Sequence, residues 1–389
     1  MVYDFQFFLK KRNIIILWIL TGLIIGVIQY FFSGVNPHIN NFVIFKSSFN
    51  HLLLQQNLYL EYPSEYFDVY IYGSIFAFLI APFAALPTWF AYILWSILNA
   101  GVLIYAIYQL PTSDKNKALI SWISFNSLLV AMQNSQFHAM CVAFIILSYT
   151  LIQKKQYFWA AFFLVLGTAI KLYGIVGLAF FFFVDNKPKY VLYCVLWAVI
   201  FFVLPMVITN VDYIVQCYVD WYHRITYKNV LNVNLGNHRT DVCVMGMFRR
   251  LFNNQALSNL YFIIPGLLIF AFSYIRVSRF KNIDFQLRQL ASALLFIILA
   301  STGSESPTIV IGVVGLAIWY ILSEKTTLDN ILLWFALIIS SFSATDLFPE
   351  YIRVHYVNQY ALIVLPLLIV WLKLNWENYV LLRNTKSLA

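Results

Sequence analysis

Apolar stretches of about 15 to 22 residues recur along the whole of this chain, and a helix needs roughly 20 such residues to cross the hydrocarbon core of a bilayer. The candidate spans are residues 13–32, 72–87, 89–110, 118–133, 136–152, 157–184, 189–209, 256–275, 287–303, 307–323, 328–345 and 356–373. With 62% of its 389 residues hydrophobic and only 11% charged, the chain is far from the balance of a soluble globular domain. The sequence therefore predicts an all-α, polytopic helical membrane protein with about twelve transmembrane helices, folded as one integral membrane domain over residues 1–389. The first span is too long, and too poor in small residues at its end, for a cleaved signal peptide.

The formal charge of +9 sets orientation and is not a nucleic-acid signal, because the basic residues sit in short loops between spans. Lys10, Lys11 and Arg12 precede the first span, Arg276, Arg279, Lys281 and Arg288 flank a later connection, and Lys373, Arg383 and Lys386 follow the last span. The positive-inside bias makes these places cytoplasmic. It leaves 33–71, 210–255, the STGSES turn and the ATDLFPEYIRVH loop outside. Lys154 and Lys155 fit this scheme only if one stretch within 72–117 fails to cross, and 72–87 is short enough to be that stretch. Aromatic residues cluster at span ends, as in YFW at 157–159, where amphipathic rings favour the headgroup level.

Several chemistries find no support. There is no Gly-rich phosphate loop, no HExxH and no ATPase signature. Cys141, Cys194, Cys217 and Cys243 lack metal-ligand spacing. Cys217 and Cys243 share an exterior segment and could pair in an oxidising compartment, or both could remain thiols.

The residues that stand out are polar groups in apolar surroundings. Lys171 is the one charge in AAFFLVLGTAIKLYGIVGLAFFFFV, residues 160–184, and a lysine in such a run faces a cavity or a partner, or snorkels to the interface. Gly167 and Gly174 flank it and would permit a helix break. Phe42, Phe45, Phe49, Leu52 and Leu53 recur at three- and four-residue intervals, which predicts an amphipathic helix lying on the membrane surface within the first exterior loop. Glu61, Glu65 and Asp68 follow it. Gln133, Asn134, Gln136 and His138 crowd one turn, suited to sugar hydroxyls or to interhelical hydrogen bonds. Glu305 precedes Ser306-Pro307 at a turn, and capping is as good a reading of it as substrate contact. The 210–255 segment carries Arg224, His238 and Arg239 and has the size for acceptor recognition.

The order of NNFVIFKSSFNHLLLQQNLYLEYPSEYFDVYIYG, APFAALP, MQNSQFHAM, LGTAIKLYG and ESPTIVIGVVGLAIWY resembles glycosyltransferase family 87, in the version found in Bacteroidetes, over nearly the whole chain. The resemblance implies a GT-C fold and transfer of a sugar from a polyprenyl-phosphate donor to a glycolipid or cell-envelope glycan, as characterised relatives do with mannose or arabinofuranose. It implies a multi-pass protein of the bacterial inner membrane whose site faces the periplasm. An inverting transfer needs one carboxylate as base and cations for the departing phosphate. Many members carry the base as an aspartate where this chain has Asn40 or Asn41, and an amide cannot fill that role. Asp68 is the expected replacement, with Glu65, Glu61 and Glu305 in reserve. Lys171 is expected on the donor phosphate, Asn40, Asn41, Tyr72, Gln136 and His138 on the sugar, and Arg224, His238 and Arg239 on the acceptor. No cofactor is implied, although loop carboxylates could recruit a divalent cation. Two rival functions share these features: a flippase for a polyprenyl-linked glycan, and a catalytically silent envelope-assembly scaffold.

Overall fold

The computed structural model describes residues 7–33, 39–275 and 277–384, so Arg276 and Lys386 lie outside the described residues. Among the described residues all regular elements are helical, and the β pairing is limited to an isolated antiparallel bridge between Glu61 and Val69. Five of these helices are long and apolar enough to cross a membrane, and a pair bent by 86°, residues 350–358 and 362–380, would make a sixth if counted as one span. Five further apolar helices are only 10–17 residues long. The chain is a helical membrane protein, but the expected count of about twelve full-length spans is not reproduced. Window hydropathy registers apolar content and is blind to the breaks that cut several of those stretches short.

The chain divides into two compact units, Met1–Leu110 with Ala131–Lys228, and Pro111–Val130 with Asn229–Ala389. The first begins with α1 (Lys11–Phe31), α2 (Asn40–Leu53), α3 (Ser74–Leu79), α4 (Ala81–Ala84) and α5 (Thr88–Gln109). α1 packs on α5 through Gly22 and Gly26, four residues apart on one face. A Cβ at Gly26 would stand 2.8 Å from the Ile93 Cα, and one at Gly22 would stand 2.9 Å from the Ser96 carbonyl oxygen. Such small-residue faces let membrane helices approach closely where lipid supplies no hydrophobic drive.

α2 forms where the sequence predicts it, and much of its apolar stripe, Phe42, Phe45 and Leu52, is buried in protein, while Leu53 at its end is exposed. Phe42 and Phe45 are buried, and the Phe45 ring lies 5.0 Å from Tyr72, 5.1 Å from Phe76 and 5.6 Å from Trp95. A periodic apolar stripe shows that a face must be covered and does not say by what. The 72–87 stretch breaks into α3 and α4, with Pro82 in the first turn of α4, and neither piece is long enough to cross.

α6 (Asp114–Gln133) belongs to the second unit up to Val130, and the first unit resumes with α7 (His138–Gln153) and α8 (Tyr157–Ile170). A 3-10 helix of 12 residues follows, Leu172–Phe183. Its burial has the three-residue period of that geometry: Gly174, Gly177, Phe180 and Phe183 are buried, while Leu172, Ile175 and Leu178 are exposed. α9 (Lys187–Val203) and α10 (Val211–Asn232, to Lys228 in this unit) complete it.

The second unit contains α11 (Val244–Leu251), α12 (Leu260–Phe272), α13 (Ile283–Ala300), α14 (Ile309–Leu322), α15 (Thr327–Ala336) and α16 (Leu365–Asn384). Its core holds a fully buried ion pair, in which Arg249 Nε and Nη2 donate to the two Asp241 carboxylate oxygens at 2.9 and 2.8 Å. Arg249 Nη1 donates to the Leu257 carbonyl and to Asn259 Oδ1, so each guanidinium nitrogen has a partner. Arg288 pairs with Glu377 at 2.8 Å and Lys373 with Asp329 at 3.2 Å.

Two stability outcomes follow from this packing. Gly26→Leu should destabilise the α1–α5 contact by about 1–3 kcal/mol, the usual cost of overpacking, and lower the yield of monodisperse protein, whereas Gly101→Ala, which meets just Ile19 Cδ1 at 3.3 Å, should not. Arg249→Met strands a buried carboxylate and should cost about 3–5 kcal/mol, read as a lower melting temperature in detergent.

Candidate active site

α8 ends at Ile170, and Lys171 leaves the helix in extended backbone, φ −145° and ψ 124°. The sequence causes the break through glycines. A Cβ on Gly174 would lie 2.3 Å from the Gly167 carbonyl carbon, so the returning chain can touch α8 there because Gly174 has no side chain. Gly73 closes on the same point: its N–H donates to the Ile170 carbonyl at 3.1 Å, and a Cβ would stand 1.9 Å from the Ala169 oxygen. That bond satisfies a helix-terminal carbonyl that has no intrahelical donor. It also sets Tyr72 beside Lys171.

The Lys171 Nζ lies 2.8 Å from His138 Nε2, and 5.2 and 4.9 Å from the ring centroids of Tyr72 and Tyr173. An ammonium has donors and no acceptor, so Lys171 donates and His138 presents the Nε2 lone pair. His138 is the first residue of α7 and is buried. Each aromatic face adds up to about 2 kcal/mol when the cation is desolvated.

The polar turn before α7 is held to α2: Asn41 Nδ2 donates to the Asn134 carbonyl at 2.8 Å, Ser135 has φ 55°, and Gln136 is buried. Asn40, one residue back, grips the acidic loop with both ends of its amide. Its Nδ2 donates to the Phe67 carbonyl at 2.7 Å and its Oδ1 accepts from the Phe67 N–H at 2.8 Å. Asp68 comes next, at φ 69°, half-exposed, with Oδ1 accepting from Lys228 Nζ at 2.7 Å. The other two acids of the loop are placed differently. Glu65 pairs with His51 at 3.1 Å while His51 stacks on Tyr62 at 3.9 Å, and Glu61 bridges Val69 through its backbone. Burial, and then the Glu65 carboxylate, push the Tyr66 hydroxyl up from the ordinary phenol range. Burial likewise raises Tyr59, whose hydroxyl donates to the Tyr72 carbonyl at 3.1 Å. Arg224 Nε donates to the Tyr59 carbonyl at 2.7 Å, which ties α10 to the backbone under Tyr72.

The first unit thus holds Asn40, Asn41, Glu65, Asp68, Tyr72, Gln136, His138, Lys171 and Arg224. Glu305, His238 and Arg239 belong to the second unit. Glu305 forms a capping box with Thr308, its N–H donating to Thr308 Oγ1 at 3.1 Å. His238 and Arg239 are exposed, and the Arg239 N–H is turned into its own loop onto Asn237 Oδ1 at 3.1 Å. All four cysteines are free thiols, so the Cys217–Cys243 pairing is not formed; Cys243 Sγ instead donates to Asp241 Oδ1 at 3.2 Å. Among the described residues no three His, Cys, Asp or Glu side chains gather as a metal site.

Sequence reasoning missed Lys228, Tyr173, His51 and Gly73. Tyr173 was within reach, since it sits beside Lys171 in KLYG, but the partnership of Lys228 with Asp68 spans 160 residues of sequence and leaves no local signal.

The family model of glycosyltransferase family 87 matches residues 70–302, more than half of the chain. The chain belongs to glycosyltransferase family 87. No curated protein matches the sequence. The part of this glycosyltransferase that carries the family pattern contains Tyr72, Gln136, His138, Lys171, Arg224, His238 and Arg239. Asn40, Asn41, Glu61, Glu65, Asp68 and Glu305 fall outside it.

Asn40→Ala removes both bonds to Phe67 and should loosen the loop locally by about 1–3 kcal/mol. Amide exchange across residues 61–69 should rise, while α7 and α8 keep their protection.

Proposed function

We propose that this family 87 glycosyltransferase moves a sugar, a mannose-like hexose or an arabinofuranose-like pentose, from a polyprenyl-phosphate donor to a lipid-linked or cell-envelope glycan. The reaction inverts the anomeric carbon and takes place at the periplasmic face of the bacterial inner membrane. The observation that carries this reading is Lys171: an ammonium at a helix break in an otherwise apolar run, steadied by an imidazole nitrogen and two aromatic faces. That is a fitting place for a phosphodiester that arrives on a lipid.

In the reaction, the acceptor hydroxyl oxygen bonds to the anomeric carbon as the bond from that carbon to the phosphate oxygen breaks. The bonding pair leaves with the polyprenyl phosphate, and Lys171 stabilises the charge that develops there. The hydroxyl proton passes to Asp68, whose carboxylate is half-exposed and engaged by Lys228 at Oδ1. Glu65 is the reserve base. Asn41, Gln136 and His138 line the sugar side with Tyr72, and Asn40 positions Asp68 through its grip on Phe67. Arg224 serves the acceptor. The exposed apolar ridge of Leu172, Ile175 and Leu178 leads away from Lys171 and suits a polyprenyl chain.

The test is consumption of a labelled polyprenyl-phosphate hexose or pentose by the purified protein with a membrane glycolipid extract. Wild type should transfer the label. Asp68→Asn should lower kcat by about 10²–10⁴-fold. Lys171→Ala should remove turnover while circular dichroism stays unchanged. A donor that binds across a broad panel and is never consumed would sink the enzyme reading in favour of the flippase or the scaffold.

A further inference from the structure

The second unit contains a cavity of about 210 Å³ that the glycosyl-transfer reading does not use, lined by Arg279, Asn282, Asp284, Arg288 and Asn378. Asn378 is 2% exposed, and among the described residues neither its Oδ1 nor its Nδ2 has a hydrogen-bond partner. A buried amide with both ends unsatisfied is costly, and it is relieved by a ligand that offers a donor and an acceptor together. The charges have the same mixed character. The Arg279 and Arg288 guanidiniums line the cavity, Arg288 paired with Glu377 at 2.8 Å, and Asp284 adds a carboxylate in the first turn of α13. A purely anionic guest would meet Asp284 unfavourably, and a purely cationic one would meet Arg279.

A second feature is carried on the same stretch of α16. An open apolar groove of about 580 Å³ is bounded by Leu268 and Phe272 of α12 and by Leu372, Trp376 and Tyr379 of α16. Its aromatic residues gather at one end, with Phe272 and Trp376 each 5.6 Å from Tyr379, ring to ring. Tyr379 faces the groove while the next residue back, Asn378, lines the cavity. Amphipathic aromatic rings favour the headgroup level of a bilayer.

We propose that cavity and groove together form a site for one phospholipid with a primary-ammonium headgroup. The phosphate lies toward Arg279 and the Asn378 amide N–H, the ammonium toward Asp284 and the Asn378 Oδ1, and an acyl chain follows the groove past Phe272 and Trp376.

The experiment uses the full chain, delipidated in detergent. It is titrated separately with phosphatidylethanolamine, phosphatidylcholine, phosphatidylglycerol and water-soluble phosphoethanolamine, and followed by native mass spectrometry and melting temperature. Phosphatidylethanolamine should be retained at least fivefold better than the other two lipids and should raise the melting temperature. Asn378→Leu and Arg279→Gln should each reduce retention to the phosphatidylcholine level. Trp376→Ala should weaken retention of all lipids and keep the headgroup preference. Arg279→Gln, at a partly exposed position, keeps the test decisive should Asn378→Leu fail to fold. Equal retention of the three lipids, preference for phosphatidylglycerol, or indifference to Arg279→Gln overturns the proposal. Stabilisation by phosphoethanolamine equal to that by the lipid also overturns it, because the occupant would then be a soluble headgroup.

Discussion

An ammonium carried into an apolar helical run costs about 2.5–3.5 kcal/mol at the bilayer centre, and the arrangement around Lys171 answers that cost. The helix stops beneath it, the chain re-enters as a 3-10 segment, and the groups that receive the ammonium come from three separate places in the sequence: Tyr72, His138 and Tyr173. Each of those is fixed in turn. Gly73 bonds the end of α8, Asn41 holds the turn that presents His138, and Tyr59 with Arg224 supports the backbone at Tyr72.

The two units handle buried charge in different ways. In the second, every guanidinium nitrogen of Arg249 donates within the protein, to Asp241, Leu257 and Asn259. Such pairs add little net stability but are expensive to break. Around Lys171 the contacts are of another kind: an imidazole nitrogen at 2.8 Å and the faces of two tyrosine rings.

How much of this was legible in the sequence depended on whether the cause was local. The break at Lys171 was, because two glycines flank a charge in an apolar run, and so was the failure of 72–87 to form one long helix, with Pro82 inside a short stretch. The helix over Asn40–Leu53 was also readable, although its partner was not: the stripe of Phe42 and Phe45 predicts a covered face, and the aromatic rings that cover it come from residues 72–95. The ion pair of Asp68 with Lys228, the grip of Asn40 on Phe67 and the burial of Arg249 are all tertiary, and composition averages over them. Glu305 looked like a stray charge in the sequence and is a helix cap, a role equally open from its position before Ser-Pro.

The 3-10 helix has a consequence for depth. At about 2.0 Å per residue its twelve residues, Leu172–Phe183, reach about 24 Å, where an α-helix of that length would reach about 18 Å. The stretched geometry thus covers most of an apolar layer about 30 Å thick with few residues. It also removes the stagger between successive turns, so Gly174, Gly177, Phe180 and Phe183 stand in a straight column against the protein. On the exposed side Leu172, Ile175 and Leu178 form a second straight column that begins beside Lys171, a rail of apolar side chains three residues apart.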